Sequence, residues 1–343
     1  MFNMSRGFAC SIGAIAAMAV LSIAPAYAQQ ADADPQSDIV VTGVGREQIQ
    51  TFVQQVSAAP PSVDQLGRWD DDICLTVAGL PADQGQVIVD RVSQRAQMVG
   101  LTAGRAGCRG NVLVFFAADA NTFTRGLVDR ERSLFAYYHE ENVHTLGQEA
   151  LTAFIETPRP VRWWHVLQTR GADGDRLGSS QAGNRSPPPP RDGETRAGPD
   201  AIVGAQAVRS QGTRTRAVYR QDFNRVVVVV DGQRASGYPV NSIADYIAMV
   251  TLAQIDPTAQ TRDYPTILNL FDDDPDAVSF EMTNWDIAYL NGLYQSTRNA
   301  ASVTQQIQDI SRRMAGDGLD PGLGLFLGQR GQPARIRPKH AID

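Results

Sequence analysis

The chain has 343 residues, of which 43% are hydrophobic and 20% are charged. This balance is typical of a globular protein and excludes a wholly disordered chain. The formal net charge is −6, which argues against general binding to nucleic acid. The single lysine is Lys339, so the sequence offers neither a Schiff-base lysine nor a phosphate-binding GxxxxGKS/T loop.

Residues 1–28 have the pattern of a secretory signal peptide. Arg6 is the only charged residue, an apolar run covers 12–23, and Ala26-Tyr27-Ala28 places small residues before Gln29. The run is shorter than the roughly 20 residues that a membrane-spanning helix needs. We therefore predict a periplasmic or secreted protein, cleaved between Ala28 and Gln29, that is soluble and does not span the membrane after cleavage.

Residues 29–64 are predicted to form a leader with a short strand and a helix. The strand covers 38–42, and the helix follows Gly45. The segment DIVVTG, residues 38–43, resembles the TonB box of outer-membrane receptors, although the chain lacks the large barrel that such receptors need. An exposed leader or an edge strand is the alternative interpretation of this segment.

The block 65–170 is predicted to form the first part of an α/β core, because strand and helix patterns alternate along it. The predicted elements are a strand over 72–78, a helix that ends at Gly100, a strand over 111–116, helices over 121–135 and roughly 143–156, and a strand over 161–167.

Two cysteines remain after the predicted cleavage. Cys74 lies in the predicted strand over 72–78, and Cys108 precedes the next predicted strand. Two cysteines in an oxidising compartment usually pair, so we predict a disulfide bond between them. Neither cysteine stands in a local nucleophile signature, which argues against a catalytic thiol.

The second half of the chain begins with a break in the pattern. Residues 171–201 are rich in proline and glycine, and their composition predicts a disordered loop. Residues 202–318 are predicted to complete the same core, with a buried strand at Val226–Val230 and helices that begin at Ser242, Thr283 and near Ser302. Residues 319–343 are predicted to form a flexible tail. The expected fold is α/β (α+β), a mixed sheet with packed helices.

Histidine and acidic clusters offer little evidence of a metal site. His139 and His144 are five residues apart, which on a helix separates them by about 140° and keeps them from sharing one zinc ion. His165 follows two tryptophans and is interpreted as a packed strand residue. The acidic runs 70–72 and 272–276 lack the spacing of a calcium-binding loop and are interpreted as solvated loops and helix caps.

From Trp69 onward the order of elements resembles the layout of zincin metallopeptidases, especially metzincins. It also resembles a group of exported bacterial proteins of unknown function that have a degenerate version of this layout. The resemblance covers 69–117 and 224–295. It includes Pro265–Leu268 at the place of the metzincin methionine turn, and Thr283-x-x-Asp286 with Leu290-x-x-Leu293-Tyr294 in the final helix.

The resemblance implies a fold in which the metal site has degenerated. The three zinc histidines would fall at Ala244, Ala248 and Gln254, and the general base at Asp245. Alanine has no lone pair for a metal, so no metal and no cofactor is expected. Ser242-x-x-Asp245 also matches a capping box, which gives Asp245 an alternative, structural role.

Together these observations favour a non-catalytic exported protein with a degenerate metallopeptidase-like core. It would bind a protein or a cell-envelope component through the cleft that corresponds to the metallopeptidase active site. Two alternatives remain open. One is a hydrolase with an unrecognised acidic active site. The other is an adaptor that contacts TonB-type machinery through residues 38–43.

Overall fold

The fold is described from a computed structural model, in which residues 45–105, 107–137, 142–175 and 212–316 are described. They belong to one compact unit. The predicted signal peptide, the DIVVTG segment, most of the predicted loop 171–201 and the predicted tail lie outside the described residues, so those predictions stay predictions.

A five-stranded mixed sheet forms the centre of the fold. The strands are β1 (Leu75–Ala78), β2 (Val112–Ala117), β3 (Val143–His144), β4 (Val161–Gly171) and β5 (Tyr219–Asp231). Their order in the sheet is β1-β2-β5-β4-β3, with β1, β2 and β5 parallel and β4 antiparallel to both of its neighbours. This confirms the predicted α/β class with a mixed sheet.

Helices cover both faces of the sheet, and the strand residues alternate between two apolar cores. The helices are α1 (Arg46–Val56), α2 (Ala82–Met98), α3 (Ala120–Arg130), α4 (Gln148–Glu156), α5 (Val240–Leu252), α6 (Asn284–Gln295) and α7 (Val303–Met314), with short 3₁₀ helices at Arg132–Phe135 and Ile267–Asn269. Trp163 and Val228 face the core that contains α1, α2, α5, α6 and α7, whereas Trp164 and Val227 face α3 and α4.

Three predicted helix boundaries are wrong. The predicted helix over 121–135 breaks at Glu131, which has φ −118°. The helix predicted over 143–156 begins only at Gln148, because Val143 and His144 pair with β4. The third begins at Val240 rather than Ser242, since Pro239 is the N-cap residue and its carbonyl accepts the first helical hydrogen bonds.

Other predicted boundaries are confirmed by their caps. Thr283 and Asp286 form the predicted capping box at the start of α6. Ser302 accepts a hydrogen bond from the backbone N–H of Gln305 at the start of α7. A side chain that accepts an otherwise unpaired N–H fixes the first turn of a helix.

Cys74 and Cys108 lie at disulfide distance, with their Cα atoms 5.9 Å apart. The pair joins the segment before β1 to the loop before β2, across a sequence separation of 34 residues. A covalent link lowers the conformational entropy of the unfolded chain. A bond at this position therefore stabilises the parallel pairing of β1 with β2.

Reduction of this bond should lower the free energy of unfolding by about 3–4 kcal/mol, the value that loop-closure entropy gives for such a loop. Urea denaturation with and without reductant measures the change, with thiol titration to verify reduction. The double variant Cys74→Ser/Cys108→Ser is the control and should not respond to reductant. Equal stability of the oxidised and fully reduced protein would contradict the prediction.

Candidate functional site

Helix α5 carries the positions at which the metallopeptidase resemblance places the metal site. All of its residues except Asn241 are buried. Ala244 and Ala248 have no exposed surface and lie in the larger apolar core. A ligand in solvent therefore has no access to these two positions, and no cleft opens over them.

Asp245 is a buried anion that joins α5 to α2. Arg91 and Arg95 each donate two hydrogen bonds to its carboxylate, at 2.8–2.9 Å, and the backbone N–H of Met282 donates a fifth at 3.0 Å. Burial by itself would raise the pKa of Asp245, but the two guanidinium groups outweigh it and lower the pKa. Asp245 thus connects two helices rather than capping one, a role that the sequence signalled only through two arginines four residues apart.

The C-terminal carbonyls of α5 are paired with side chains from three separate segments. His165 Nε2 contacts the carbonyl of Val250, Trp69 Nε1 donates to Thr251, and the Tyr294 hydroxyl donates to Leu252, each at 2.7 Å. Helix ends leave carbonyls unpaired, and a buried end needs such donors. These contacts allow α5 to end inside the core.

His165 is a packed strand residue, as predicted, and is neutral in the folded protein. Because a carbonyl can only accept, the proton of the ring lies on Nε2. Burial lowers the pKa of His165 to about 4. Its side chain is enclosed against Phe223, so it has a structural contact rather than the position of a catalytic base.

The remaining residues of the resemblance also make structural contacts. Gln254 Oε1 accepts a hydrogen bond from the backbone N–H of Gly67 at 2.8 Å. Asp286 accepts from the Thr266 hydroxyl and from the backbone N–H of Ile267. The turn 265–268 is therefore fixed to the start of α6 by the same carboxylate that completes the capping box.

His144 lies in β3, and both of its ring nitrogens contact hydroxyl groups. Its Nδ1 contacts the Ser62 hydroxyl at 2.9 Å, and its Nε2 contacts the Thr169 hydroxyl at 2.8 Å. His139 lies outside the described residues. Within the described ranges, no group of three or more His, Cys, Asp or Glu side chains could hold a metal ion.

The acidic runs pair with arginines. Asp70 contacts Arg220 and Arg298, and the first residue of the second run, Asp272, contacts Arg262 at 2.9 Å. All three residues of the first run are exposed, as predicted for a solvated loop, and Asp70 is also part of an ion-pair network.

A cleft of about 580 Å³ opens beside α5 at one end of the central strands. Strand β5 ends there and the antiparallel β4 begins there, since Val161 pairs with Val230. In α/β sheets, ligands commonly bind outside the carboxyl ends of parallel strands. We call this opening the α5 cleft; its lining includes Arg159, Trp163, Tyr246, Gln260, Arg262, Asp263, Asn269, Phe271 and Asp272.

Three aromatic side chains form one wall of the α5 cleft. The Tyr246 ring lies 6.1 Å from the Trp163 ring and 5.3 Å from the Phe271 ring, measured between centroids. Trp163 donates its indole N–H to the carbonyl of Ile255 at 2.9 Å, so the ring is held in place. No local sequence pattern marks this site, because its residues come from three separate stretches of the chain.

The stretch 257–272 also lines the α5 cleft, and its own polar residues hold it in shape. The Thr261 hydroxyl donates to Asn269 Oδ1 at 2.6 Å, and Asn269 donates to the carbonyls of Thr261 and Tyr264. Arg262 and Asp272 form an ion pair on the rim. The cleft is therefore preformed rather than created by a movable loop.

No protein-family model, curated protein or solved structure matches this chain. In the part of the chain that the structure describes, no helix is both long enough and apolar enough to cross a membrane.

Stability should decrease on acidification from pH 6.5 to 4 because of His165. In the unfolded chain the pKa of His165 is about 6.5, whereas burial lowers its pKa to about 4 in the folded protein. The loss should be on the order of 3 kcal/mol. Urea denaturation across this pH range measures it.

His165→Gln keeps an N–H donor but cannot titrate, so its stability should depend less on pH in the same range. His144→Gln is the matched control and should retain the dependence of the wild type. Identical pH dependence in the wild type and His165→Gln would contradict the assignment.

Purified protein should contain no stoichiometric zinc, and a chelator should leave its Tm unchanged. Ala244 and Ala248 provide no ligand atoms, and the Gln254 carbonyl oxygen is engaged by Gly67. Elemental analysis and thermal denaturation with EDTA test this expectation. One equivalent of bound zinc whose removal lowers the Tm would overturn it.

Proposed function

We propose that this chain is a non-catalytic, exported binding protein that holds a saccharide of the cell envelope in the α5 cleft. The observation that carries the proposal is the composition of that cleft, whose lining combines three aromatic rings with amide, hydroxyl and charged side chains. The proposal places binding beside Tyr246 rather than over Ala244 and Ala248, because the latter two are buried.

The size of the cleft supports a small ligand or the end of a chain. Ligand pockets typically enclose about 300–1,000 Å³, and the α5 cleft has about 580 Å³. A protein partner would require a contact area much larger than one such opening.

The chemistry of the walls supports a sugar ring. A pyranose has an apolar C–H face and hydroxyl groups around its edge, so it needs apolar contacts next to polar groups. Trp163, Tyr246 and Phe271 line the cleft with rigid apolar rings, and the Trp163 and Phe271 rings are inclined by 65° and 66° to the Tyr246 ring. Gln260 and Asp263 line the same cleft and offer hydrogen-bond donors and acceptors for hydroxyl groups.

The engaged polar groups around α5 favour binding over catalysis. The buried carboxylates Asp245 and Asp286 are saturated by arginines, hydroxyl groups and backbone N–H groups. A general base must be free to accept a proton, whereas these groups contribute to the fold. We infer that the layout, which resembles that of zincins in sequence, is a scaffold without a metal site.

An extracytoplasmic location is supported from two sides. The pattern of residues 1–28 is that of a signal peptide. The cysteine pair at disulfide distance is compatible with an oxidising compartment. Envelope saccharides are the polar, ring-shaped ligands that such a protein encounters in quantity.

The test is titration with three tetrasaccharides of different chemistry: cellotetraose, chitotetraose and tetragalacturonic acid. At least one should bind with 1:1 stoichiometry in calorimetry and change the tryptophan fluorescence, because Trp163 lines the cleft. Failure of all three to bind would overturn the proposal.

Two variants locate the binding. Phe271→Ala removes one ring of the aromatic wall and should weaken binding about tenfold, as expected for the loss of a buried aromatic contact. Ala259→Trp fills the cleft from a half-buried lining position and should abolish binding. Phe280→Ala is the matched control, because Phe280 is 53% exposed and lies outside the lining. Unchanged binding in Ala259→Trp would place the ligand elsewhere.

A further inference from the structure

We infer that the ligand of the α5 cleft carries a carboxylate, which Arg159 and Tyr246 bind together, so that the ligand is an acidic sugar. This inference rests on the proposed function and specifies the ligand class of the same site.

Arg159 provides the positive charge. One of its terminal nitrogens donates to the carbonyl of Pro257, and no carboxylate of the described residues lies within ion-pair distance of its guanidinium group. The second arginine of the lining, Arg262, is paired with Asp272 at 2.9 Å. Arg159 is therefore the cation of the cleft whose charge the fold leaves uncompensated, with N–H groups that can donate to a ligand.

Tyr246 provides a neutral donor beside this cation. Its side chain lines the cleft, and no hydrogen bond to its hydroxyl exists among the described residues. Burial raises the pKa of Tyr246 above its usual value of 10, while nearby Arg159 acts in the opposite direction. The phenol thus keeps its proton at neutral pH and can donate to an anion.

The ring of Tyr246 is fixed where that hydroxyl is useful. Trp163 and Phe271 flank it within 6.1 Å, and α5 holds its backbone in the core. A donor that does not have to be ordered on binding loses less free energy when the ligand arrives. Charge-assisted hydrogen bonds to a carboxylate are also stronger than neutral ones.

The charge of the cleft favours a monoanion over a phosphate. The lining contains two arginines and two aspartates. Arg262 and Asp272 neutralise each other, and the remaining Asp263 is exposed on the rim, where water screens its charge. A dianionic phosphate would meet one uncompensated cation and a nearby carboxylate, whereas a single carboxylate matches Arg159. Asp263 can then accept hydrogen bonds from hydroxyl groups of the same ligand.

The experiment compares tetragalacturonic acid with its fully methyl-esterified form, which has the same rings but no negative charge. The wild type should bind the acid at least tenfold more tightly, the difference expected for hydrogen bonds to a charged group. The affinity for the acid should fall with increasing salt, while the affinity for the ester should not.

Arg159→Gln should lower the affinity for the acid to that for the ester and leave binding of the ester unchanged. Tyr246→Phe keeps the ring but removes the hydroxyl, and should weaken binding of the acid about three- to tenfold. Arg125→Gln is the matched control, because Arg125 is exposed on α3, outside the cleft. Thermal denaturation verifies that each variant is folded.

Equal binding of the acid and the ester by the wild type would overturn the carboxylate inference and leave the saccharide site in place. Equal weakening of both ligands by Arg159→Gln would also overturn it. Absence of binding of either form, together with cellotetraose and chitotetraose, would overturn the proposed function itself. The comparison of acid with ester in the wild type decides the matter even if a variant does not fold.

Discussion

Helix α5 is buried along almost its whole length, so its polar groups must find partners inside the protein. A helix inside a core has no water to pair with its terminal carbonyls or with any charged side chain that it carries. His165, Trp69 and Tyr294 therefore donate to its last carbonyls, and α2 contributes two arginines to Asp245. Removal of one partner from such a buried pair typically costs about 3–5 kcal/mol, so these contacts fix where α5 lies.

This constraint also determines which residues remain available for a ligand. Four polar side chains considered in connection with the expected metal site instead make contacts that hold α5 and its neighbours in place. They are His165, Gln254, Asp245 and Asp286. Burial shifts the pKa values of His165 and Asp286, and the two arginines lower that of Asp245. These causes are structural, which shows that a perturbed pKa alone does not identify a functional site. Uncompensated donors are found instead beside Tyr246, where the core ends.

Local patterns predicted much of the fold but little of the site. The valine run of β5 and the capping box at Thr283 are short-range signals, and both are confirmed. The start of α5 was predicted two residues late, because Ser242-x-x-Asp245 imitates a capping box whose aspartate in fact pairs with α2. The α5 cleft combines residues 159–163, Tyr246 and 257–272, and only the sheet register brings these stretches together.

The neighbouring positions of Asp245 and Tyr246 connect the scaffold to the cleft. Consecutive residues on a helix point about 100° apart. Because Asp245 is held towards α2 by Arg91 and Arg95, the next side chain must leave α5 in a different direction, and it meets Trp163 and the cleft. The ion pairs thus set the rotation of α5 about its axis, and that rotation places the Tyr246 hydroxyl in the cleft that Arg159 also lines.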